Sequence, residues 1–214
     1  FFGGCFDPPH RGHVEIIRQC FNLCNKFILM PTLSSPLKIV DSPTDPYHIM
    51  QMLNLIIQGI DRSIEIDEYD LTCSGPSYTV DTVRYLQKKY ADYSISMVVG
   101  ADQMMKIEHW KDYQDIVNIV HIICFNRKNC NFTHRPNMSL TWIDDFKINI
   151  SSEQIKKDII KGELKKDNLP PAVKQYIIKN IIIENEIITN EKYIADIKVN
   201  FNMKKIINLF RNNK

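Results

Sequence analysis

Long apolar runs are missing from this chain. None approaches the roughly 20 consecutive residues that a membrane-spanning helix needs, so no stable membrane association is expected. A charge excess is missing too. The 27 Lys and Arg against 25 Asp and Glu leave a net charge of +2 over 214 residues. That is too little to point to nucleic acid or an anionic membrane as partner. No CxxC pair occurs among Cys5, Cys20, Cys24, Cys73, Cys124 and Cys130. A metal site is therefore not expected, and most of these thiols read as small core residues in a reducing compartment. Cys20 and Cys24 are spaced to share a helix face, while Cys5 falls inside the glycine- and histidine-rich stretch at residues 3–13. A secretory leader and an initiator Met are both lacking at the start, which leads us to expect a cytoplasmic protein with residues preceding Phe1.

What is present is ordinary in bulk and uneven in detail. Hydrophobic residues make up 44% and charged ones 24%, normal for one globular domain with a small appendage. Helical and strand periodicities alternate along the chain. "RGHVEIIRQCFNLCNK", "YHIMQMLNLIIQGI" and "SYTVDTVRYLQKKYA" predict helices, the last capped by Ser77 or a neighbour. "FILMP", "SIEIDEYDL", "SISMVVGAD", "HIICF" and "TWIDDF" predict strands, and "SSEQIKKDIIKG" and "PPAVKQYIIKN" further helices. This order predicts an α/β fold, Rossmann-like and doubly wound. A mostly parallel sheet would carry helices on both faces, with a small helical C-terminal part. Residues 1–150 form the expected core, 151–186 helices that complete the site, and 187–214 an extension. Packing on its own domain is the expected role of that extension, with a homodimer interface or weak membrane contact as alternatives.

The densest signal is "GGCFDPPHRGH", residues 3–13, between a predicted strand and a predicted helix. Gly3 and Gly4 let a ligand approach the backbone, whose N–H groups can face phosphate oxygens. Asp7 ahead of Pro8 and Pro9 predicts a capped helix entry. His10 and His13 then share a face near the positive end of that helix, with Gly12 keeping the turn open. Two imidazoles there can donate hydrogen bonds to a phosphoryl group.

These residues resemble the GxFDPxHxGH signature of the HxGH nucleotidyltransferase superfamily. "PSYTVDTVRYL", "VVGADQMMKIEHWKDY", "NISSEQIKKDI" and "LPPAVKQYI" are similar, in order and spacing, to the bacterial-type nicotinate mononucleotide adenylyltransferases. The resemblance covers residues 3 to about 180. It implies adenylyl transfer from ATP, with magnesium carried on the nucleotide, to nicotinate mononucleotide. The products would be nicotinate adenine dinucleotide and pyrophosphate, and nicotinamide mononucleotide is a second acceptor to consider. It further implies that the backbone of Gly3, Gly4, Cys5 and Phe6 lines the α-phosphate and adenosine, and that His10 and His13 hold the triphosphate. Lys38, Ser151 and Lys156 would meet the phosphates, while Gly100 and Asp102 would meet the ribose and linker of the dinucleotide. Trp110 would stack on the pyridine ring. Tyr78 and Thr79 would receive the nicotinate carboxylate, and Arg127 the same pocket or a phosphate. The chain departs from the family where Lys156 replaces an arginine, Glu153 a threonine, Leu37 a histidine and Cys5 a threonine. Two other readings stand beside this one: a different HxGH enzyme such as the pantetheine-phosphate adenylyltransferase, and a non-catalytic nucleotide-binding protein.

Overall fold

A computed structural model describes residues 1–33, 44–61, 63–73, 75–126, 138–161 and 167–188. In chain order the elements are β1 (Phe2–Gly4), α1 (Arg11–Phe21), β2 (Ile28–Pro31), α2 (Pro46–Gln58), β3 (Glu65–Ile66), α3 (Tyr69–Thr72), α4 (Thr79–Lys89) and β4 (Ile95–Gly100). There follow α5 (Ala101–Met104), a 3-10 turn at Ile107–His109, α6 (Tyr113–Ile119), β5 (Val120–Phe125), β6 (Leu140–Ile143), α7 (Ser152–Lys161) and α8 (Pro171–Ile188). The six strands form one sheet in the order β3-β2-β1-β4-β5-β6, with every pairing parallel. This is the expected doubly wound arrangement. The chain winds outward from β1 to β3 and returns to β4 at the centre, so the strand order reverses between β1 and β4.

Period-2 alternation explains the layers. Val98, Ile123 and Phe125 face a core shared with α1 (Ile16, Ile17) and α2 (Leu53, Ile56), joined by Ile155 of α7 and Val173 of α8. Their neighbours Met97, Val99, Ile122 and Cys124 face the opposite core, with Val80 and Val83 of α4, Met104, Ile107 and Ile116. Leu53, Ile17, Val83 and Ile116 have no measurable exposure, and truncating a residue of this kind to Ala costs about 2–5 kcal/mol. No helix among the described residues is long and apolar enough to cross a membrane.

Three local expectations are corrected. "SIEIDEYDL" pairs as a strand only at Glu65 and Ile66. Asp67 then accepts a hydrogen bond from the Tyr69 N–H at 3.0 Å, an Asx turn that ends the strand and starts α3. Ser77 does not cap α4, because its side chain bonds Asp70; Tyr78 holds the cap position without a side-chain bond. Cys24 lies beyond α1, which stops at Phe21, so it does not share that helix face with Cys20. At the other end, α8 runs through residue 186 to Ile188.

Candidate active site

β1 and β4 are paired at Phe2 and Val98, so their carboxyl ends, Gly4 and Gly100, each lie two residues on and side by side. The sheet thus brings the two glycine turns together at the point where strand order reverses. At Gly4 a Cβ would sit 3.4 Å from the Phe6 ring, an ordinary van der Waals contact. At Gly3 a Cβ would meet only the Met30 carbonyl at 3.9 Å, so the fold itself does not demand glycine there. Phe6 takes a left-handed backbone, φ 47°, with its ring buried against Phe2 and His13 at centroid distances of 5.3 and 5.0 Å. Non-glycine residues in this region carry strain that surrounding packing must offset. Cys5 beside it is half-buried.

The cap of α1 is His10, not Asp7. The His10 Nδ1 accepts from the Gly12 N–H at 3.1 Å, and the His13 Nδ1 accepts from the His10 N–H at 3.1 Å. The HxGH sequence is therefore a reciprocal capping box built from two imidazoles. An Nδ1 that accepts a backbone N–H carries no proton, which places the ring proton of both histidines on Nε2. The rings stack with centroids 3.7 Å apart and planes 18° from parallel. Gly12 is sterically required: a Cβ there would lie 2.9 Å from the His10 Cε1 and 3.0 Å from its Nδ1.

Asp7 does something else. Its buried carboxylate accepts from the Thr44 hydroxyl at 2.5 Å and the Thr44 N–H at 3.3 Å, and it pairs with the Lys156 ammonium. The loop after β1 is thus tied to the start of α2 and to α7. The Ser152 hydroxyl adds a bond to the Pro8 carbonyl at 2.9 Å. Ser151 accepts from the Gln154 N–H at 3.2 Å, which makes it a cap of α7. Lys156 is brought to the histidine loop, but its partner here is Asp7. Lys38 and Arg127 lie outside the described residues.

Beyond β4, Gly100 precedes α5 with an extended backbone, and Asp102 is exposed in the first turn, accepting from the Gln103 side chain at 3.2 Å. Tyr78 and Trp110 are half-buried and pack on the same core, so α4 and the 3-10 turn bring them to one side of the sheet. Lys111, which sequence reasoning passed over, sets its ammonium 4.6 Å from the centre of the Tyr78 ring and 3.4 Å from the Asp81 carboxylate. Under the start of α4, burial pushes the Asp70 carboxyl up from its ordinary pKa, opposed by hydrogen bonds from Thr82 and Ser77. At the carboxyl ends of β5 and β6, Asp144 accepts from Asn126 at 2.9 Å and from the Trp142 ring N–H at 2.7 Å, and both bonds lower its pKa. A separate cavity, lined by Phe1, Cys20, Phe27, Ile28, Tyr90 and Ile95, lies at the amino ends of the strands and holds none of the expected site residues.

Known proteins share this fold. The cytidylyltransferase-like family profile matches residues 1–158. A protein of Chlorobium phaeobacteroides named "Probable nicotinate-nucleotide adenylyltransferase" is 30% identical over 83% of this chain and 94% of its own length. One of the same name from Borreliella burgdorferi is 31% identical over 82% and 91%. Among solved structures, the Plasmodium falciparum nicotinic acid mononucleotide adenylyltransferase complexed with NaAD superposes with a TM-score of 0.71. It is 22% identical and aligns over 86% of this chain and 95% of its own.

Proposed function

The chain belongs to the nicotinate-nucleotide adenylyltransferases of the cytidylyltransferase-like family, and from that premise we propose that it makes nicotinate adenine dinucleotide. In this reading it transfers the adenylyl group of ATP to nicotinate mononucleotide and releases pyrophosphate, a step of NAD biosynthesis that we place in the cytoplasm. The observation that carries the reading is the stacked His10–His13 pair, fixed over Gly12 at a helix N-terminus beside the reversal of strand order.

The chemistry follows from charge. An oxygen of the mononucleotide 5′-phosphate attacks the α-phosphorus of ATP, the bond from α-phosphorus to the β-bridging oxygen breaks, and pyrophosphate leaves with the electron pair. The nucleophile is already an anion near neutral pH, so no general base is needed. Positioning and stabilisation of charge at the α-phosphate do the work. The Nε2–H groups of His10 and His13 are the donors for that charge, reinforced by the positive end of α1. The backbone from Gly3 to Phe6 lines the α-phosphate, and the open approach at Gly3 suits that role. Lys38 and Lys156 serve the outer phosphates, with Ser151 at the head of α7 beside them. Gly100 and Asp102 meet the ribose and linker. Trp110 stacks on the pyridine ring, Tyr78 and Thr79 offer the start of α4 to its carboxylate, and Arg127 supports the same end. Magnesium arrives on the ATP phosphates as part of the substrate and neutralises the leaving group.

Lys156 has two duties in this account, and they separate experimentally. Lys156→Ala leaves the buried Asp7 carboxylate without its cation, which is expected to cost about 1–3 kcal/mol in chemical denaturation. It is also expected to raise KM for ATP, whereas Asp7→Asn should destabilise the protein without a matching change in that KM. Equal effects of both variants on KM would contradict a phosphate role for Lys156. The acceptor is tested with a panel of nicotinate mononucleotide, nicotinamide mononucleotide and phosphopantetheine, each with magnesium-ATP. The highest kcat/KM is expected for nicotinate mononucleotide. A preference for phosphopantetheine would overturn the substrate assignment.

A further inference from the structure

Between Trp110 and the start of α6 at Tyr113 lie only Lys111 and Asp112, and Asp112 takes φ 48°, a left-handed backbone rare outside glycine, asparagine and aspartate. Charges on α4 reach across to this turn. Arg84 meets the Asp115 carboxylate at 2.5 Å and the Asp112 carboxylate at 3.7 Å. In the other direction Lys111 meets Asp81 of α4 at 3.4 Å, and Asp81 in turn lies 3.8 Å from Arg84. Two cations and three carboxylates thus form a branched network, centred on Arg84, that crosses from α4 to the turn and back. One of its members, Lys111, also covers the Tyr78 ring face.

A single exposed ion pair of this kind contributes little to stability. The placement is what matters. The charge network grips the residues that directly follow Trp110, and the Trp110 N–H donates to the Ile107 carbonyl at 3.0 Å. We infer that Arg84 and Lys111 are positioning residues: together with Asp81, Asp112 and Asp115 they clasp the turn to α4 and set the Trp110 ring where it receives the mononucleotide. This rests on the functional reading above, in which Trp110 stacks on the pyridine ring and α4 begins the same pocket. Arg84 touches neither substrate nor reacting atoms in this account. Its loss should therefore weaken mononucleotide binding while leaving turnover and ATP binding in place.

The test uses the full chain carrying Trp142→Phe, so that Trp110 is the sole tryptophan, with and without Arg84→Met. Two readouts are taken: steady-state kinetics for each substrate, and quenching of Trp110 emission on titration with nicotinate mononucleotide. The clasp predicts that Arg84→Met raises KM for the mononucleotide and the midpoint of quenching together by about fivefold. The kcat and the KM for ATP should stay within about twofold, and Arg84→Lys should recover part of the loss. An unchanged mononucleotide KM overturns the clasp. So does an equal fall across all kinetic constants, or a large drop in melting temperature, since Arg84 would then support the fold rather than the ring. If the parent chain neither forms dinucleotide nor is quenched by the mononucleotide, the functional reading itself fails and the clasp falls with it.

Discussion

Replacing His13 by alanine is expected to lower kcat for dinucleotide formation by about 100-fold or more, the scale of losing one preorganised donor to a developing oxyanion. The structure complicates this variant, because the His13 Nδ1 also accepts the His10 N–H. His13→Ala removes half of the capping box as well as the catalytic donor, and loss of a cap costs about 0.5–2 kcal/mol. His13→Gln separates the two. Glutamine at this position of a helix start can reach back to the cap N–H, so the melting temperature should recover while turnover stays low. Turnover close to wild type in His13→Ala would remove the imidazole from the mechanism. Recovery of turnover along with stability in His13→Gln would reduce the motif to a helix cap.

Gly12→Ala is expected to damage both stability and rate, against the trend for helical glycines. Ala normally gains about 1 kcal/mol over Gly within a helix. Here its Cβ would sit 2.9 Å from the His10 ring. That ring is 1% exposed and stacked at 3.7 Å on His13, so it has nowhere to retreat without breaking the stack. Overpacking of this kind costs about 1–3 kcal/mol, and the bond from the Gly12 N–H to His10 is lost in addition. The steric term wins. The displaced imidazoles should then lower kcat by about 100-fold, the penalty for roughly an ångström of misplacement. A melting temperature at or above wild type, with normal kcat, would show that the His10 position is not rigid.

The sequence was most legible where chemistry is local. Eleven consecutive residues hold both glycines of the first turn, both histidines and the glycine between them, and strand–helix alternation places them at the carboxyl edge of a parallel sheet. The same stretch misled on one point. "DPP" reads as a capped helix entry, yet histidine, not among the favoured caps, performs that task, and Asp7 is turned to Thr44 and Lys156. Lys156 lies 149 residues from Asp7, and no periodicity in a single sequence pairs residues so far apart. "SIEIDEYDL" shows the reverse case, in which alternation suited a strand but Asp67 closed a turn through its own side chain. Arg84 escaped notice because exposed charges on a helix usually only solvate it. Its meaning depends on Asp112 and Asp115, which the fold alone brings to it.

Adenylyl transfer to nicotinate mononucleotide across the histidine pair is tested by mixing the purified protein with magnesium-ATP and nicotinate mononucleotide and following dinucleotide and pyrophosphate in the same sample. One of each is expected per turnover, with both rates collapsing together in His13→Ala. ATP binding without release of pyrophosphate, in the presence of the mononucleotide, would contradict it and leave a nucleotide-binding protein in place of an enzyme.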